Sequence, residues 1–108
     1  MNILVIDVGG SNFKILATGQ QGMRKFASGP QLTAEQMVAR VKTLAQGWPC
    51  DVVSIGYPGA VGRNRVLAEP HNLGPGWMGF DFARAFGCPV KVINDAAMQA
   101  LGSNEMSR

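Results

Sequence analysis

The sequence has little of what metal, redox, membrane and nucleic-acid functions require. It contains two cysteines and a single histidine. Cys50 and Cys88 each stand beside a proline (Pro49, Pro89) ahead of an apolar run. Two cysteines are too few for a disulfide framework, and their spacing matches no zinc motif. They read as reduced thiols at strand entrances. Charge is also sparse, at 16% Asp, Glu, Lys and Arg with a net of +3. The basic residues are scattered, densest at Arg24–Lys25 and Arg63/Arg65, and form no stripe of the kind a nucleic-acid surface needs. No apolar run approaches the ~18–20 residues of a membrane span, and Met1 to Asp7 carries no basic leader. The expectation is a cytoplasmic chain with neither nucleic acid nor membrane as partner.

What the chain does have is glycine (14) and proline (6), gathered in discrete loops that imply many tight turns. With 46% apolar residues in a length of 108, it carries enough for one modest core.

Ile3-Leu4-Val5-Ile6 is apolar on both faces, which suits a central strand covered on both sides. It runs into Asp7-Val8-Gly9-Gly10-Ser11-Asn12, a turn signal. A second strand over 12–18 alternates Phe13, Ile15 and Ala17 against Lys14, Leu16 and Thr18. After Gly19 to Gly22, residues 23–27 read as a third strand, so the start is antiparallel. Thr33-x-x-Gln36 is a capping box opening a helix whose stripe is Ala34, Met37, Val38, Val41, Leu44 and Ala45, closed by Gly47. Val52, Val53 and Ile55 predict a fourth strand ending in Gly56-Tyr57-Pro58-Gly59. A small hairpin is expected around Gly62 to Arg65, then a long loop from Glu69 to Gly79. A short helix near 80–86 ends at Gly87, Val90 to Ile93 is a fifth strand, and Asp95 opens a third helix. The order β-β-β-α-β-α-β-α predicts an α/β domain: a mixed five-stranded sheet with helices on its faces.

The polar turns fall at the carboxyl ends of strands, where open α/β sheets bind ligands. In Asp7-x-Gly9-Gly10-Ser11-Asn12-x-Lys14, the glycines let backbone N–H groups approach phosphate oxygens, and Ser11, Asn12 and Lys14 add donors. Asp7 only accepts hydrogen bonds. Beside phosphates it makes sense with an intervening cation, Mg²⁺ held through water. The competing interpretation is an ordinary hairpin turn. Asp95, after Asn94, is either a helix cap or a base for a substrate hydroxyl.

In this order DVGGSNFK, IGYPGAV, EPHNLGPGW and VINDA resemble the repressor/ORF/kinase (ROK) sugar-kinase family, and within it the polyphosphate glucokinases and related glucokinases. The resemblance covers residues 1–103 and leaves 104–108 as a polar tail. It implies a ribonuclease H-like lobe of the actin-like ATPase type. It also implies that phosphoryl transfer from ATP or polyphosphate to the 6-hydroxyl of glucose or a related sugar is the activity of the complete enzyme. Asp7 to Lys14 then match the phosphate and metal motif, Asp95 the catalytic base, and Gly59, Asn72 and Asn94 the sugar site. Trp77 matches a loop tryptophan near the sugar and equally suits a packing anchor; His71 is set outside the site. Family members are about twice this length, and their second lobe supplies a second phosphate loop, an adenosine pocket and a zinc motif, none of which is in this sequence. The expectation is therefore an isolated N-terminal lobe, inactive alone, with no zinc site. Its partner would be a homodimer mate or the second lobe, met through Ala96, Ala97, Met98, Ala100 and Leu101. The alternative is a non-catalytic sugar-binding or self-associating module. A ribonuclease H-like nuclease would need several carboxylates converging on two metals, and only Asp7 and Asp95 are placed for that.

Overall fold

The computed structural model describes residues 1–70 and 72–95. Its strands are β1 (Ile3–Val8), β2 (Asn12–Ala17), β3 (Arg24–Ala27), β4 (Val52–Tyr57), the short pair β5 (Val61–Gly62) and β6 (Arg65–Val66), and β7 (Val90–Asn94). Helix α1 (Ala34–Leu44) follows β3, and α2 (Phe82–Phe86) precedes β7. One mixed sheet has the order β3-β2-β1-β4-β7. β1 pairs antiparallel with β2 and parallel with β4, which in turn is parallel to β7. The third helix, opened by Asp95, His71, the 104–108 tail and the apolar set Ala96 to Leu101 lie outside the described residues.

Alternation decides which face of the sheet is buried. Leu4, Ile6 and Val8 lie in register with Ala17, Ile15 and Phe13 on one side, and Leu4 and Ile6 with Val53 and Ile55 on the other. All of these are buried in one cluster with Met37, Val38 and Val41 of α1 and Phe82 of α2. The α1 stripe is as expected. Its capping box is closed by reciprocal bonds, Gln36 N–H to Thr33 Oγ1 and Thr33 N–H to Gln36 Oε1, both 3.1 Å.

Two expectations need correction. β1 is not covered on both sides among the described residues, because α1 and α2 pack on the same face and touch each other. On the other face Ile3 is 37% and Leu16 45% exposed. β1 also runs further than the turn signal implied, since Asp7 and Val8 keep their ladder partners Lys14 and Phe13. Asp7 is thus a strand residue, held rigidly beside the turn rather than within it.

The hairpin does more than connect. Arg63 and Asn64 both take positive φ (50° and 64°), the backbone of a tight two-residue turn between β5 and β6. Asn64 then reaches the outer edge of β7, donating from Nδ2 to Val90 O and accepting at Oδ1 from Val92 N–H, both 2.6 Å. It covers backbone groups that an edge strand otherwise leaves open. Asn64→Ala is expected to cost about 2–3 kcal/mol, combining a left-handed backbone penalty with two lost bonds. Asn64→Gly keeps the backbone and should cost roughly half as much; urea unfolding of both variants checks the split.

Candidate functional site

Because β1, β4 and β7 are parallel, their carboxyl ends share one edge of the sheet. The register places Asp7 beside Gly56, and Tyr57 beside Asn94, with Asp95 next in the chain. The turns leaving these strands meet there. Asn94 Nδ2 donates to Gly59 O at 2.9 Å, joining the end of β7 to the Pro58–Gly59 turn. A Cβ on Gly10 would lie 3.6 Å from the Asn72 amide nitrogen, so the long loop folds back over the first turn. Between them lies a cleft of about 290 Å³ whose walls include Gly10, Tyr57, Gly59, Glu69 and Asn72. That is close to the lower end of the about 300–1,000 Å³ range of ligand pockets. A larger, shallower groove of about 640 Å³ between β3 and α1, lined by Arg24, Phe26 and Arg40, contains none of the turn residues.

The glycines of the first turn serve different ends. A Cβ on Gly9 would overlap the carbonyl oxygen of Asn12, so the closeness of the turn itself demands glycine there. Gly10 has room, and its freedom of space faces Asn72 and the cleft. Asn12 and Lys14 are exposed and share with Asp7 the sheet face opposite the core; Ser11 is exposed at the turn. Lys14 lies across from Asp7 on one side and from Lys25 on the other. The cleft therefore gathers Gly10, Gly59 and Asn72, whereas Asp7, Asn12 and Lys14 form a second group just behind the turn.

Three supporting residues give no sequence signal of their own. Ser28, buried just past β3, donates from Oγ to Gly9 O at 2.7 Å and from its N–H to Ser11 O at 2.9 Å, clamping the turn from below. Glu69 accepts from the backbone N–H groups of Gly76, Trp77 and Met78 at 2.8–2.9 Å. Tyr57 carries a buried hydroxyl with no hydrogen-bond partner among the described residues. Burial, then the Glu69 charge, pushes its pKa up to about 12. Residues this separate in the chain can be found only once the loops are folded.

The bonds from Met78 and Gly76, with a further one from Trp77, hold the Glu69 carboxyl below its ordinary 4.5. A carboxyl whose folded pKa is depressed stabilises the fold above the unfolded value, and that contribution disappears as pH falls through the folded one. The loop should hence be fully held above about pH 4.5 and open under more acidic conditions. NMR shifts of the Gly76, Trp77 and Met78 amides should move together on acidification, and Glu69→Gln should show the acid pattern at neutral pH. Amides that ignore both changes would show that Glu69 does not organise the loop.

Trp77 is the anchor of that loop and is not a ligand contact. It is wholly buried, donates from Nε1 to Leu32 O at 3.0 Å, and packs against Phe13, Tyr57 and Phe82 at ring-centroid distances of 5.8–6.2 Å.

A lone carboxylate at a sheet edge suits Mg²⁺ held mainly by phosphates and water better than a metal caged by protein. Asp7 is such a carboxylate, and no group of three or more potential metal-ligating side chains exists among the described residues. No described helix is long and apolar enough to cross a membrane.

No protein-family model and no curated protein matches the sequence. Solved structures do match the fold. A ROK family glucokinase from Streptomyces griseus, in complex with glucose and AMPPNP, aligns with a TM-score of 0.68 and 26% identity over 89% of this chain and 34% of its own. A candidate sugar kinase from Cytophaga hutchinsonii aligns with a TM-score of 0.74 and 27% identity over 94% of this chain and 38% of its own. A ROK family protein from Streptococcus pneumoniae, in complex with sucrose, is similar in fold, with a TM-score of 0.70 at 22% identity over 89% of this chain and 35% of its own. The chain thus spans little more than a third of the length of these structures. In its fold and the order of its motifs, the chain is similar to one lobe of the ROK family sugar kinases.

Proposed function

We propose that this chain is the N-terminal, ribonuclease H-like lobe of a hexose kinase. The complete enzyme transfers a phosphoryl group from ATP or polyphosphate to the 6-hydroxyl of glucose or a related sugar. The observation that supports this best is the shared carboxyl edge of β1, β4 and β7, where Gly10, Gly59 and Asn72 line one cleft and Asn94 is tied to Gly59. The glucose- and AMPPNP-bound relative supports a sugar and a nucleotide as ligands.

In this reading the Asn72 and Asn94 amides and the Gly59 turn hold the sugar, and Asp95 accepts the proton of its attacking hydroxyl. The backbone of Gly9 to Ser11, with Asn12 and Lys14, holds the donor's terminal phosphates. Asp7 holds Mg²⁺ through water, and that ion supplies charge neutralisation on the phosphates. Phosphoryl transfer depends on positioning and electrostatics, and one lobe supplies one wall of the cleft. The chain by itself should bind sugar weakly and turn nothing over.

Titration calorimetry tests this. Glucose should bind the chain, and Asn72→Ala should weaken it by about tenfold, the value of one or two lost hydrogen bonds. Absence of binding by a chain that is folded by circular dichroism would refute the sugar site. A non-catalytic, self-associating module is the second reading, favoured by the exposed Ile3 and Leu16 on the open sheet face. A monomer by light scattering at high concentration counts against it.

A further inference from the structure

At the end of the sheet opposite the cleft, Cys50 and Cys88 stand just ahead of β4 and β7. These strands are parallel neighbours. Val53 is in register with Val90, and the Val53 N–H donates to Pro89 O at 3.0 Å, so the two entrances are held side by side. Continued back from β4 and β7, the register sets Cys88 across from Asp51, one residue from Cys50. A strand spacing of about 4.8 Å combined with a rise of about 3.3 Å stays within the about 4.4–6.8 Å Cα separation that a disulfide spans. Both cysteines are free, Cys50 exposed and Cys88 half-buried. They line one pocket of about 270 Å³ with Leu4, Ala45, Trp48 and Phe86. The Cys50 thiol donates to Val52 O at 3.3 Å. Partial burial, then the neighbouring Cys88, pushes its pKa up, so the sulfur is a thiol at neutral pH and reacts faster in mild alkali.

We propose that Cys50 and Cys88 form a thiol–disulfide exchange site for small disulfides of the glutathione type, closing reversibly into an intrachain bridge between the entrances of β4 and β7. The exposed Cys50 thiolate attacks one sulfur of oxidised glutathione, giving a mixed disulfide and releasing one glutathione thiolate. The Cys88 thiolate then attacks the Cys50 sulfur and displaces the second glutathione. Two protein thiols lose two protons and two electrons, and one glutathione disulfide becomes two thiols. The bridged segment carries β4, the hairpin, the Glu69 loop and α2, which together build most of the cleft wall. Oxidation would therefore restrain that wall from its far side. The site stands independently of the sugar-kinase reading.

The test equilibrates the 108-residue chain with a fixed ratio of oxidised to reduced glutathione, natively and in denaturant, and then traps and weighs the products. The native chain should lose about 2 Da as a monomer. Its ratio of bridged to open form should exceed that of the denatured chain by about tenfold or more, because folding holds the thiols together. Cys50→Ser and Cys88→Ser, each folded by circular dichroism, should lose the bridge. The oxidised wild-type chain should also melt several degrees higher. A native ratio at or below the denatured one overturns the proposal, as does a product consisting of glutathione adducts or linked dimers.

Discussion

Trp77→Ala is expected to leave the chain largely unfolded at 37 °C. Removal of a fully buried large aromatic typically costs about 3–5 kcal/mol, against a total stability of roughly 5–15 kcal/mol for a domain of this size. Trp77 is placed to give the upper end. Its ring touches Phe13 of β2, Tyr57 of β4 and Phe82 of α2, so three elements lose contact with one truncation. Its Nε1 bond to Leu32 also fastens the loop to the segment before α1. The melting temperature should fall by about 15 °C or more. Trp77→Phe retains most of the packing and loses the bond; Leu32 O still accepts from Gly74 N–H at 2.8 Å, so the cost should be nearer 1–2 kcal/mol. A Trp77→Ala variant that melts within a few degrees of wild type would show that the aromatic cluster does not carry the loop. Since Asn72 rides on the same loop, sugar binding should fall with stability in this series.

Asp95→Asn, made in a protein that joins this lobe to the second one, is expected to lower kcat by about 10²–10⁴-fold, the usual worth of a positioned general base. Glucose affinity should change little. Asparagine keeps the size of the side chain and a carbonyl that accepts hydrogen bonds, and loses only the capacity to take a proton. The loss should therefore appear in kcat and not in the calorimetric Kd, the signature of an interaction made in the transition state. Unchanged turnover would remove Asp95 from the chemistry and leave it as a helix cap.

Local order was legible wherever one chain segment decides its own conformation. The capping box of α1, the strand alternation of β2 and the hairpin at Gly62 to Arg65 are all patterns within a few residues. Each was readable because its physics, a reciprocal cap or a two-residue period, is local. β1 runs longer than its turn signal implies, since Asp7 has ladder partners on both β2 and β4 and Val8 one on β2, which hold them extended.

The candidate site was half legible. Asp7, Gly10 and Asp95 stand out as polar or turn residues at the carboxyl ends of apolar strands, whereas Gly59, Asn72 and Asn94 are singled out by the motifs that resemble the ROK family. The roles of Ser28, Glu69, Tyr57 and Asn64 were not legible. Ser28 is distant in the chain from the turn it clamps, and Glu69 reads as an ordinary surface acid until three N–H groups converge on it.

By itself the sequence determined local elements such as the α1 cap and the β2 alternation, and the residue types available at the carboxyl ends of strands, because propensity, capping and periodicity act over short distances. Only the tertiary structure decided which face of the sheet is covered, that Trp77 belongs to the core, that Gly9 is required by the turn's own closeness, and that two thiols far apart in the chain are neighbours. Those outcomes rest on contacts between segments tens of residues apart, where register and close packing, rather than any local preference, select the neighbour.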